Sequence, residues 1–206
     1  MVNGAIILAA GKGNRYKGIK QDVLFHGRPL WRYAYETALD VVGENYIVAV
    51  GKDIPGGNTR TKSVLNGLKF LPDDTERVVI VEAARPMVTK EQILELLRDG
   101  HPSVSFVRPL VNTVIYRDGR YINRDELFDL LTPQAFDYHM LLEAYQSGRF
   151  TDMTDETRIM FEYYRIKPYL IETKNNLYKV TYPGDLDIIE SIFQSQQKAE
   201  GGVNNQ

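Results

Sequence analysis

Near the start of the chain an apolar run, Ala5-Ile6-Ile7-Leu8-Ala9-Ala10, opens directly into Gly11-Lys12-Gly13-Asn14-Arg15, and Lys20-Gln21 follow shortly after. The run is too short for a helix and is bounded by glycine, so it reads as a buried strand. Glycines at 11 and 13 let backbone N–H groups turn outward, while Lys12, Arg15 and Lys20 bring positive charge to the same place. A backbone concavity ringed by cations suits a polyphosphate. A dinucleotide fingerprint requires a small residue three positions after the second glycine, where Tyr16 stands, and no Gly-Lys-Ser or Gly-Lys-Thr of a Walker loop is present. A plain surface turn would account for Gly-Lys-Gly alone; the added Arg15 and Lys20-Gln21 weigh against it.

Composition narrows the function classes. The 25 basic and 27 acidic residues leave a net charge of -2, so neither nucleic acid nor a membrane surface is an expected partner and any anion site must be local. With no cysteine, disulfides, thiolate metal sites and cysteine nucleophiles are excluded. No apolar run reaches about 18 residues. Met1 leads straight into the first strand without a basic n-region or cleavage site, which predicts a cytoplasmic protein. A chain of 206 residues predicts one domain, here 1–197, followed by a polar, Gly-rich, disordered tail over 198–206.

The elements that must position the glycine loop follow from periodicity. Leu30, Ala34, Ala38 and Val41 repeat at helical spacing over 29–42, with Pro29 in the first turn. Tyr46 to Val50 and Arg77 to Val81 read as strands, a helix starts near Ser63, and Thr89 caps another through Arg98. Strands alternating with helices imply a mostly parallel sheet with crossover helices, an α/β fold in which ligands bind beyond the carboxyl ends of the strands. The polar loops 11–21, 51–60 and 82–86 all follow strands and should converge on one edge. Further on, Ser103 to Val107 reads as a strand and Thr113 to Ile122 as a hairpin around Asp118-Gly119. Helices are expected over 135–147 and 155–164, strands over 166–171 and 177–180, and a last helix from Pro183. Asp185-Leu186-Asp187, the one triplet resembling a glycosyltransferase metal motif, opens that helix, where acidic residues suit the dipole. His26, His101 and His139 lie far apart in unrelated contexts and read as surface or core residues.

Six blocks resemble, in order, the cytidylyltransferases related to 2-C-methyl-D-erythritol 4-phosphate cytidylyltransferase, a group that includes ribitol-5-phosphate enzymes. They are Leu8 through Arg15 with Lys20-Gln21; Gly56-Gly57 through Arg60 to Ser63-Val64; Ala83-Ala84-Arg85-Pro86; Leu131-Thr132-Pro133-Gln134; Thr151-Asp152; and Tyr178-Lys179-Val180-Thr181 with Pro183 and Asp185-Leu186. The resemblance spans about 4–193. It implies a Rossmann-like three-layer α/β/α nucleotidyltransferase fold with a mixed, mostly parallel sheet and a short β-arm. It further implies that CTP is attacked at its α-phosphate by a substrate phosphate with release of pyrophosphate. That chemistry needs positioning and charge neutralisation more than a base.

By the same resemblance Arg15, Lys20 and Lys179 are the catalytic cations, although Lys179 could be a solvated strand-end lysine. Ala9, Ala10, Gly11, Lys12, Gly13 and Asn14 contact the nucleotide, as do Gly57, Asn58 and Ser63. Ser63 could equally be a helix cap, and Arg85 either braces the nucleotide site or makes a structural ion pair. Arg124, Thr132, Thr151 and Asp152 would hold the acceptor, with Thr132 alternatively a cap. Glu82 would face Mg²⁺. The family tends to form a homodimer through the arm, which is cut down here, so oligomeric state does not follow.

The chain departs from the family pattern mainly on the acceptor side. Val81-Glu82 replaces the usual His-Asp, Asn112-Thr113 stands for Asp-Thr, and Asn58 occupies a commonly acidic position. The segment from Asn112 to Arg124 is shortened, and the Asn176 to Lys179 spacing is one residue longer than usual. Glu82 keeps the carboxylate one methylene further out, where magnesium geometry is demanding. The expected function is therefore transfer of CMP from CTP to a small polyol- or sugar-phosphate acceptor, as in cell-surface polymer synthesis. The alternatives are the methylerythritol phosphate enzyme of isoprenoid synthesis and a non-catalytic nucleotide-binding homologue.

Overall fold

Apolar runs long enough for one pass of a sheet become its central strands. In the computed structural model, which describes residues 1–174 and 177–201, the strands are β1 (Asn3–Leu8), β4 (Ile47–Val50), β5 (Arg77–Glu82), β6 (Ser103–Pro109), β9 (Phe128–Asp137) and β10 (Tyr169–Glu172). Their order across the sheet is β10-β6-β9-β5-β1-β4, parallel except for β9, which runs antiparallel to both neighbours. Two short hairpins complete the strands: β2 (Leu24–Phe25) with β3 (Arg28–Pro29), and β7 (Val114–Ile115) with β8 (Tyr121–Ile122), the expected arm turning at Gly119.

Both faces of the sheet are covered, which is why β1, β4 and β5 lack polar alternation. Ala5, Ile7, Ala49, Val79 and Val81 point to one side, under helices α1 (Leu30–Val42) and α3 (Lys90–Arg98). Ile6, Val48, Val50, Val78 and Ile80 point to the other, under α2 (Arg60–Phe70), α4 (Tyr138–Gln146) and α5 (Glu156–Tyr164). The last helix, α6 (Asp185–Gly201), closes a small third cluster in which Ile189 and Val180 meet Phe25 and Leu30. Among the described residues no helix is long and apolar enough to cross a membrane.

Several expectations change. Residues 128–137 form β9, so the helix expected over 135–147 begins only at Tyr138. Pro133 is tolerated within β9 because it falls where the β6–β9 register shifts between Ser105 and Phe106, and a bulge needs no N–H there. His26-Gly27, just ahead of the expected helix, form the turn of the β2–β3 hairpin, both residues at positive φ. Residues 177–180 form no strand; Val180 makes a single main-chain bond to Ala84 at 2.8 Å. The helix of α6 also runs into the expected tail as far as Gly201, because nothing between Gln194 and Glu200 breaks it. Positions 202–206 of that tail, and Asn176 of the altered spacing, lie outside the described residues.

Register brings the loops to one level. Leu8 pairs with Val50 on one side and Glu82 on the other, so β1, β4 and β5 release their loops side by side. Gly51 lets two of those loops touch: at φ 100° a Cβ would lie 2.7 Å from the Ala10 backbone. Gly119 has a similar φ of 89° but open space around it. Gly51→Ala should therefore cost about 1–3 kcal/mol and clearly more than Gly119→Ala, compared as urea midpoints of the two variants.

Candidate active site

A cleft of about 470 Å³ opens over the carboxyl ends of β1 and β5. Its floor is the glycine loop, whose shape depends on Gly13: φ is 62°, and a Cβ there would lie 1.8 Å from the Gly18 carbonyl oxygen. A Cβ on Gly11 would meet only open space. Gln21 ties the loop down, its Nε2 donating to the Gly11 carbonyl at 2.9 Å from a nearly buried position. That anchor aims the adjacent Lys20 across the cleft, where its Nζ donates to the Val180 carbonyl at 2.7 Å. Lys12, Asn14 and Arg15 line the same floor.

The second wall is the loop into α2. A Cβ on Gly56 would lie 2.3 Å from the Ala10 Cβ, so this loop rests flat on the glycine-loop strand. The Gly57 N–H donates to Ser63 Oγ at 3.0 Å, and the Ser63 hydroxyl donates to the Thr59 carbonyl at 3.0 Å. The cap of α2 is Thr59, which accepts from the Lys62 N–H. Ser63 is thus a loop-shaping residue facing the cleft with Gly57 and Asn58.

Glu82, at the end of β5, carries the acidic charge of the cleft. Lys179 Nζ lies 2.8 and 2.7 Å from its two oxygens, Arg60 Nη1 is 3.3 Å away, Arg85 Nε is 3.7 Å away, and the Thr132 hydroxyl donates at 3.3 Å. Burial would push this carboxyl up, but Lys179, then Arg60 and Arg85, override burial and hold it at about 2. Burial, followed by the Lys179 ammonium and Arg15, lowers Lys20 to about 8 despite Glu82 and Asp185. Positive charge is therefore in excess here, and a polyanion would relieve it.

The same geometry bears on the expected metal site. Both Glu82 oxygens are engaged by cations, and no group of three or more His, Cys, Asp or Glu side chains that could hold a metal exists among the described residues. Magnesium demands oxygen ligands at about 2.0–2.1 Å, and reaching Glu82 would mean displacing Lys179. The donor set does not fit a protein-held metal.

Other expected residues stand outside the cleft's lining. Ala9 is buried, its N–H donating to Val50 at 2.9 Å. Arg85 braces the cleft from behind, donating to Thr132 Oγ1 at 2.7 Å and to the Leu177 carbonyl. Thr132 is accordingly no cap. Arg124 stays in the arm, bonded to the Val111 carbonyl. Thr151 offers its carbonyl to the Thr59 hydroxyl at 3.1 Å, and Asp152 is exposed.

Sequence reasoning gave no role to Arg60, Tyr16 or Thr181, all of which line the cleft, or to the buried Glu156 behind Arg60. Arg60 lay inside a recognised block, which was a usable signal. Glu156 follows Asp155 in a segment that carried none.

Comparison with known proteins finds relatives along nearly the whole chain. A family profile described as 2-C-methyl-D-erythritol 4-phosphate cytidylyltransferase matches residues 4–195. Proteins of that name from Clostridium botulinum and Aquifex aeolicus are 30% and 32% identical to the chain. The alignments cover 93% and 94% of the chain and 97% and 98% of the relatives. The crystal structure of 4-diphosphocytidyl-2C-methyl-D-erythritol synthase from Anaerococcus prevotii has the same fold, with a TM-score of 0.76 at 24% identity, covering 93% of this chain and 98% of that one.

Lys20 supplies a titration signature. A bound triphosphate must raise its value above about 8, so binding near pH 8 should take up about half a proton per site. Affinity for CTP should fall by at most about tenfold per pH unit as pH rises from 8 toward 10. Calorimetry in buffers of different ionisation enthalpy reads the uptake, and Lys20→Met should abolish it.

Proposed function

We propose a reaction from one established premise: the chain belongs to the 2-C-methyl-D-erythritol 4-phosphate cytidylyltransferase family. CTP binds with its triphosphate on the glycine loop and its base toward Gly57, Asn58 and Ser63. A phosphate oxygen of a phosphorylated polyol attacks the α-phosphorus in line, a new P–O bond forms, and the bond to the β-phosphate bridging oxygen breaks to release pyrophosphate. Arg15, Lys20 and Lys179 neutralise the charge that builds on the pentavalent phosphorus and the leaving group. The acceptor is already an anion, so no side chain need remove a proton from it. Any magnesium would enter with the nucleotide as part of the substrate, held by its phosphates.

The observation that carries this reading is the gathering of Lys20, Lys179 and Arg15 in one cleft, where burial first and then the neighbouring cations hold Lys20 at about 8. A non-catalytic nucleotide binder would have little use for such a costly arrangement. For the acceptor, methylerythritol phosphate is the substrate in the names of the relatives. A different polyol- or sugar-phosphate is favoured by the acceptor-side departures: Glu82 is tied to Lys179, Arg124 is held within the arm, and Asn112 replaces the family's acid. We favour the second class, which would place a CDP-activated product in cell-surface polymer synthesis. Pyrophosphate release with CTP across methylerythritol, ribitol and glycerol phosphates tests this, and efficient turnover of the first alone would reverse the preference.

Lys20→Ala and Lys179→Ala should each lower kcat by roughly 10²–10³, with a much smaller change in KM for CTP, because the charge they neutralise develops in the transition state. Steady-state kinetics reads the split. Intact kcat in both variants would sink the assignment.

A further inference from the structure

Glu156, the first residue of α5, is fully buried, and nothing in the reaction above uses it. An unpaired carboxylate in such a place costs several kcal/mol. Here Arg60 Nη2 lies 2.6 Å from one oxygen and the Tyr145 hydroxyl donates to the other at 3.1 Å. Burial pushes the Glu156 carboxyl up and Arg60 pulls against it.

Arg60 itself is oddly placed. It is the first residue of α2, the helix end that disfavours a cation, and its Nε is buried with no hydrogen-bond partner. Local forces do not explain that position, but two carboxylates do. Nη2 is held by Glu156, and Nη1 lies 3.3 Å from Glu82, whose oxygens hold Lys179. Charges therefore alternate from core to cleft as Glu156, Arg60, Glu82 and Lys179.

Neighbouring bonds keep the row in register. The Thr59 hydroxyl donates to the Thr151 carbonyl at 3.1 Å, and the Met153 N–H donates to Thr61 Oγ1 at 2.7 Å. Three consecutive residues at the start of α2 are thus bonded to the 151–156 segment.

We propose that Glu156, braced by Tyr145, is a positioning residue for the transfer: through Arg60 and Glu82 it sets where the Lys179 ammonium stands in the cleft. Without its charge, Arg60 turns toward Glu82 and competes with Lys179 for the same two oxygens. The loss falls on the transition state more than on CTP binding. The proposal rests on the reaction proposed above, so the test includes a reading that needs no turnover.

Glu156→Gln should lower kcat for pyrophosphate release by about 10–100-fold while KM for CTP changes less than about 3-fold. Acetylation of Lys179 by acetic anhydride, followed by mass spectrometry, should quicken at least about 3-fold relative to exposed Lys167 as its ion pair loosens. Adding Glu156→Gln to Arg60→Met should lower kcat no further, because the effect passes through Arg60; additive losses would overturn the proposal. In an active enzyme, a Glu156→Gln kcat within twofold of wild type overturns it as well. If wild type releases no pyrophosphate with any acceptor, the proposed reaction fails, and Lys179 labelling alone decides, unchanged labelling being the adverse result. Should Glu156→Gln not fold, Tyr145→Phe decides through a kcat loss of about 3–10-fold with the ion pair retained, and a value within twofold of wild type counts against the proposal.

Discussion

The ion pair between Glu82 and Lys179 balances positive charge gathered in the cleft, and the other side chains of the cleft arrange themselves around it. Two unit charges at about 4 Å interact by roughly 4 kcal/mol at an effective dielectric of about 20, so cations crowded as these are would repel one another strongly without an intervening anion. Glu82 supplies that anion from the end of a central strand, where sheet register fixes its position. Because its folded value lies below its unfolded one, its contribution to stability is complete above about pH 4.5 and is lost as pH falls toward 2. At neutral pH the cleft is therefore held by a fully ionised carboxylate.

Sheet order explains why such distant residues meet. β1 and β5 are parallel neighbours, so the glycine loop and Glu82 leave from one edge. β9 runs the opposite way between β5 and β6, so its earlier residues lie at that same edge and Thr132 arrives beside Glu82. Lys179 comes from beyond the sheet, on a stretch tied to Ala84 through Val180. Four chain segments separated by up to 160 residues thus share one small volume, and the Lys20 bond to the Val180 carbonyl spans two of them.

Much of this was legible in the residues. Uninterrupted Ile, Val and Ala in β1, β4 and β5 announced strands buried on both faces, and Gly13, Arg15 and Lys20, grouped in the sequence, line one cleft. What escaped notice depended on partners that local pattern cannot supply. Pro133 argues against a strand until a register shift in the neighbouring pairing excuses it. Leu177 to Val180 alternates like a strand yet finds no ladder. Glu82 resembled a metal ligand in isolation; only its contacts with Lys179 and Arg60 show its lone pairs already committed. Arg60 and Glu156 are separated by 96 positions, and nothing in either neighbourhood announces the other.

The arm has a consequence for how such a protein can change over generations. β7 and β8 sit on a connection that leaves β6 and returns as β9, and those two strands lie side by side in the sheet. Residues can be gained or lost between them without shifting a single pairing in the ladder that carries Glu82 and Thr132. Lengthening such a connection costs little, about 0.6 kcal/mol per doubling. Inheritance can therefore trim or extend this appendage freely while the catalytic frame is passed on intact, so that one scaffold can found a lineage of enzymes differing mainly in what they are handed.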